Sequence, residues 1–109
     1  MDIILDDVLY EKISKGSKTV EIFLNDGQMK HFGVGDTIAI HRRSDNEDTV
    51  LVSAWSIKKC RTLSELYQKY SPAAVGMEQA ELAQMYSEED IKKNGLLAIK
   101  IKLLKPNFE

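Results

Sequence analysis

"KGSKTVEIFLND", residues 15–26, is the stretch on which the fold turns. Its glycine closes whatever comes before. "TVEIFL" then alternates, with Val20, Ile22 and Leu24 facing one way and Thr19, Glu21 and Phe23 the other. Successive strand side chains project to opposite faces, so this is a single strand, ended by the turn residues of "NDG". Ahead of it, Leu5, Val8, Leu9 and Ile13 recur at intervals of three or four, which predicts a helix over 4–15. Gly16 stops that helix as a left-handed residue, with Lys12 and Lys15 at the negative end of its dipole.

Working outward, "GVGDTIAIHRR" puts a Gly-Asp turn before a strand whose Ile38 and Ile40 share a face. "SDNED" reads as a polar turn, and "TVLVSAWSI" as a long strand rich in β-branched residues, with Trp55 expected in the core. The composition then changes to helical patterning. Thr62 with Glu65, and Ser87 with Asp90, are capping-box pairs; "MEQAELAQMY" between them supplies further helix. In the closing "LLAIKIKLL", Leu97, Ile99, Ile101 and Leu103 oppose Lys100 and Lys102, the pattern of a strand with one wet face. The order is thus a helix, three strands, a helical insertion and a last strand. Contiguous βαβ units are missing, which argues against a doubly wound parallel sheet and for a small mixed barrel with helices outside.

The totals narrow the possible functions. A chain of 109 residues, 43% hydrophobic and 29% charged, is long enough for one domain with its own core. A formal net charge of -2 argues against holding duplex nucleic acid through a general cationic field. The single cysteine, Cys60, excludes an internal disulfide and fits a reducing compartment. "MDIILDD" lacks a basic start, and no stretch nears the roughly 20 apolar residues of a membrane span, so a cytoplasmic soluble protein is expected.

His31, His41 and one cysteine do not make a zinc site of the usual composition; no metal or cofactor is expected. "FGVGD" precedes a strand rather than a helix and lacks the remaining glycine of a dinucleotide fingerprint. Cys60 reads as a small buried hydrophobe, with no nucleophile motif around it. That leaves Lys18 and Glu21. An offset of three along a regular strand sends them to opposite faces; they converge only if Lys18 belongs to the connection after Gly16. Two readings stand: a solvated lysine beside a glutamate on an exposed face, or an amine and carboxylate that read a base edge or act as acid and base. Phe23 lies on the face of Glu21 as stacking surface or core. Arg42 and Arg43 end one strand, and Lys58, Lys59 and Arg61 the next. If those ends meet, they form one phosphate-holding patch; if not, they are solvated strand ends.

In order and spacing, "GSKTVEIFLND", "FGVGDTIAIHRR", "VSAWSIKKCRTLSELY" and "YSEEDIKKNGLLAIKI" resemble the ASCH domain of the PUA-like superfamily, from Leu5 to Leu103. The resemblance implies a pseudo-barrel with flanking helices and a cleft beside the first helix that binds RNA or a modified nucleoside. The family hallmark is a glycine, any residue, a lysine, two more residues and a glutamate. Gly16, Lys18 and Glu21 match it, while Phe23 stands where an arginine is usual. Some small members resembling this chain hydrolyse N4-acetylcytidine with a lysine, a threonine three residues on and a helical glutamate. Lys18 matches that lysine, Glu21 occupies the threonine position, and Glu78 or Glu81 would be the glutamate.

The resulting expectation is one α+β domain over 1–109, a PUA-like, ASCH small mixed β-barrel with flanking helices and a helical insertion before the last strand. Its ligand would be RNA, single-stranded rather than duplex, or a modified nucleoside, held by Lys18, Thr19, Glu21, Phe23, Arg42 and Arg43. The alternatives are a nucleoside amidohydrolase or ribonuclease using Lys18 and Glu21, or a protein-interaction module.

Overall fold

The computed structural model describes residues 1–104. The strand read at the outset is β2, Val20–Leu24, but the segment before it divides differently from expectation. Asp2–Leu5 forms a strand, β1, and only Asp7–Ser14 is helical, α1. The Asp6 carboxylate accepts from the backbone N–H of Leu9 at 2.9 Å, so the helix begins after Asp6. "DIIL" before it alternates exposed Asp2 and Ile4 with half-buried Ile3 and Leu5. A helical spacing that included Leu5 concealed this two-residue period. Gly16 does end α1, with φ of +85°, and Ser17 N–H closes the turn on the Lys12 carbonyl at 2.9 Å.

A 3-10 turn, Gly27–His31, leads to β3, Thr37–Arg42. Here the expected "SDNED" turn gives way to a tighter one. Arg42 pairs with Asp45, leaving Arg43 and Ser44 as the turn, and β4 spans Asp45–Cys60; His41 pairs with Thr49, so Asn46, Glu47 and Asp48 of the polar stretch bulge out of the pairing beside the turn. The sheet order is β1-β3-β4-β5-β2, where β5 is Leu96–Leu103; β1 is parallel to β3 and the other pairings are antiparallel. The strands curl into a half-barrel. Its concave side holds one core, built around Ile38, Ile40, Val52, Leu97 and Ile99 and plugged by Tyr10 and Ile13 of α1.

Four helices follow β4: α2, Leu63–Lys69; α3, Pro72–Val75; α4, Gln79–Met85; and α5, Glu88–Asn94. Of the two expected capping boxes, the N-cap half forms in each, while the reciprocal bond does not: Glu65 Oε1 accepts from Arg61 N–H instead. Thr62 Oγ1 accepts from Glu65 N–H at 3.0 Å, and Ser87 Oγ from Asp90 N–H at 3.0 Å. α3 was not expected; it is a single turn opened by Ser71 and Pro72 and closed by Gly76 at φ of +86°. Each helix is too short to persist alone, so the group is held by packing onto the sheet. Leu66, Val75, Leu82 and Ile91 meet Val20, Ile22, Leu96 and Ala98 in a second core on the convex side. Cys60 lies in this core, as expected, and burial pushes its thiol pKa up.

These helices cover only one end of the convex face. Along β5, Leu96 and Ala98 are buried beneath them, whereas Lys100 and Lys102 on the same face are exposed. The single wet face expected for this strand is therefore half dry. Among the described residues no helix is long and apolar enough to cross a membrane.

Candidate functional site

Lys18 belongs to the connection, the condition for its meeting Glu21. Its backbone N–H still bonds the Lys12 carbonyl at 3.0 Å, extending the helix cap by one residue. Thr19, exposed, is tied on both sides: its N–H donates to Ala74 O at 2.9 Å, and its carbonyl accepts from Ile101 N–H at 3.0 Å. With the backbone pinned there, the Lys18 side chain turns inward and is 2% exposed; Glu21 is 8% exposed. The solvated-pair reading is therefore overturned.

The ammonium is fully engaged. Lys18 Nζ donates to the carbonyls of Val20 at 2.7 Å and Val75 at 2.5 Å, and lies 3.5 Å from Glu21 Oε1. An ammonium has three donors, so little remains for a ligand. Desolvation lowers the Lys18 pKa, and the neighbouring Glu21 charge opposes that shift. Glu21 is less completely used. Oε1 also accepts from Ile22 N–H at 2.9 Å, but Oε2 is buried with no hydrogen-bond partner.

Two further residues shape the place, and sequence reasoning did not select either. Gly76 lies against the lysine stem: a Cβ there would come within 2.9 Å of Lys18 Cδ, and φ of +86° already favours glycine. Tyr86 donates from its hydroxyl to Ile22 O at 3.2 Å; burial first, and then the Glu21 charge, raises its pKa. The glycine after "PAAV" was a legible stop signal, but its approach to Lys18 depends on how α3 docks. A cleft of about 620 Å³ opens between α1 and the α3–α4 segment, lined by residues including Leu9, Lys12, Gly76 and Glu81. On another side, Lys18 and Thr19 border a hollow of about 210 Å³ with Ile13 and Ile101.

The remaining candidates are dispersed. Phe23 packs against the concave core. Arg42 is committed to Glu11 and Asp48, with its guanidinium 4.7 Å from the centre of the Tyr10 ring; Arg43 sits exposed at the hairpin turn. The two basic strand ends do not meet, and no single patch forms from them. Arg42 lies next to His41, which pairs with Thr49, and Lys58 is nine residues beyond Thr49, roughly 30 Å along the strand at about 3.3 Å per residue. Glu78 and Glu81 belong to the cap of α4, where Glu81 Oε1 accepts from Glu78 N–H at 2.9 Å. Trp55, expected in the core, is 65% exposed.

No family model matches the chain, and none of the curated proteins does. Solved structures do. Hypothetical protein PH0355 superposes with a TM-score of 0.77 at 24% identity, over 94% of this chain and 97% of that one. Protein PF0455 from Pyrococcus furiosus gives 0.69 at 22% identity, over 97% and 100%. At these identities the likeness is one of fold.

Proposed function

We propose that the chain is a nucleoside- or RNA-recognition domain of the ASCH, PUA-like kind, and that Glu21 reads the ligand. The observation that carries this is Glu21 Oε2, a carboxylate oxygen removed from water and left without a donor. Such an atom carries an unrecovered desolvation cost, which an amide or amino N–H on a base edge would offset. Lys18 is then a positioning residue: its contacts with two carbonyls and Oε1 hold the carboxylate in one orientation. Phe23, two residues along the same face, supplies an apolar wall. The cleft beside α1 has in its wall Gly76, which packs against the stem of Lys18.

The test is a thermal-shift screen of modified nucleosides, N4-acetylcytidine included, and short single-stranded RNAs. The expected result is a ligand that raises the melting temperature of the wild type and binds Glu21→Gln roughly tenfold or more weakly, as befits a lost hydrogen bond to a charged acceptor. A screen without any shift, or a hit indifferent to Glu21→Gln, overturns the reading.

Hydrolysis is a second reading, favoured by one observation. The Lys18 pKa is displaced in the direction a general base needs. Chromatography of the same mixtures decides it: cytidine released from N4-acetylcytidine by the wild type and not by Lys18→Met supports catalysis, and unchanged ligand leaves recognition alone.

A further inference from the structure

Trp55 stands on the convex face of the sheet beyond the reach of the helices. Its exposure has a local cause. Ala54 pairs with Ile101 and Ser56 with Lys100, so Trp55 is an extra residue between two paired ones. A bulge of this kind bends the strand and re-aims the side chain it carries. The pairing also surrounds the indole with polar groups, because Ser53 lies opposite Lys102 and Ser56 opposite Lys100. The ammonium groups of Lys100 and Lys102 each lie 5.8 Å from the ring centre.

We propose that this surface binds single-stranded nucleic acid, with one base stacked on Trp55 and the adjacent phosphates taken by Lys100 and Lys102. An exposed indole offers a π-face that any unpaired base can cover, whereas the faces of duplex bases are already stacked. The two lysines are two residues apart on one strand, hence about 6.6 Å apart along it. That spacing is comparable to the distance between neighbouring phosphates of an extended strand. The chain as a whole carries a formal charge of -2, so attraction for a polyanion has to be local, and here it is. A second copy of this chain suits the surface poorly. A two-fold interface sets a patch against itself and would bring the lysine pairs together. This site is separate from Glu21, which faces Ile99 on the concave side, so either assignment can fail alone.

Trp55 is the only tryptophan, which makes emission a direct reporter. An oligouridylate decamer is titrated into the intact protein at low salt, and a fluorescein-labelled decamer is followed by anisotropy. The wild type should show quenched emission, and affinity should fall with salt at a slope of about −1.4 on logarithmic axes, from two phosphates at about −0.7 each. Trp55→Ser should weaken binding roughly 5- to 150-fold, the range for one stacked base, while Trp55→Phe retains most of it. Lys100→Gln with Lys102→Gln should abolish the salt slope. Absence of quenching in the wild type overturns the proposal without recourse to any variant. So does equal binding of a duplex, or equal quenching by a glutamate decamer, which would mark a docking site for acidic protein segments. Trp55→Ser that loses the decamer yet keeps a nucleoside-induced thermal shift would leave the Glu21 reading standing.

Discussion

At one edge of the sheet a lysine and a glutamate lie in the dry interior; on its convex face the chain's only tryptophan stands in water. Lys18 is 2% exposed and Trp55 is 65% exposed, an inversion of what side-chain chemistry favours. The difference lies in the cover. Four short helices pack over Leu96 and Ala98, and in doing so they place the Val75 carbonyl on Lys18 and Gly76 against its stem. They stop before Lys100, leaving the bulge at Trp55 bare. At these two places the footprint of α2–α5, rather than side-chain polarity, decides burial. These two places, in each of which polarity and burial disagree, are the candidate binding surfaces.

The largest expected effect breaks the dry side of the contrast. Lys18→Met leaves the Glu21 carboxylate buried without its counter-charge and should lower stability by roughly 3–5 kcal/mol. The double variant Lys18→Met with Glu21→Leu should recover most of that loss in chemical denaturation. A single variant with an unchanged midpoint would mean that the pair is solvated after all.

The same pair has a signature in pH. Burial lowers the folded-state Lys18 pKa below its ordinary 10.5, so the unfolded chain holds this proton more tightly than the folded one. Raising the pH through the window between the lowered value and 10.5 therefore favours folding. Over that window the wild type should gain stability relative to the double variant, as read from paired denaturation curves at several alkaline pH values. A constant difference would remove the desolvation argument.

Gly76→Ala should come next, at roughly 2–3 kcal/mol. A left-handed backbone costs about 1–2 kcal/mol with a Cβ, and overpacking adds about 1 kcal/mol or more. The lysine stem has little freedom to yield, because its far end is held by two carbonyls and a carboxylate. Thermal melts measure this directly. The smallest effect belongs to the wet side: Trp55→Ser should move stability by no more than about 0.5 kcal/mol, as exposed positions do. A loss of several kcal/mol there would show that the indole is part of the packing, and the comparison would collapse.

Much of the fold was legible because its signals are local. The alternation of β2 and β5, the caps at Thr62 and Ser87 and the glycine stop at Gly16 each depend on residues within a few positions. Legibility failed where two periods overlapped. Leu5 satisfies both the helical spacing into α1 and the alternation of β1, and only the cap at Asp6 divides them. The candidate site was half legible. The motif spacing singled out Lys18 and Glu21, but their burial, the spent donors of the ammonium and the free Glu21 Oε2 all depend on Val75 and Gly76, more than fifty residues downstream. The supposed arginine–lysine patch failed because β3 and β4 form a hairpin, which sends the two basic clusters to opposite ends of one strand.

By itself, the sequence determined β2 to β5, the body of α1 and the caps of α2 and α5, in order, and it singled out Lys18 and Glu21 while leaving open whether they meet, since these follow from periodicity, capping and motif spacing over short separations. The tertiary structure alone decided which face of the sheet is dry, that Lys18 is spent on carbonyls while Glu21 keeps a free oxygen, and that Trp55 is displayed. Exposure depends on what packs above a residue, and what packs above these residues arrives from distant parts of the chain.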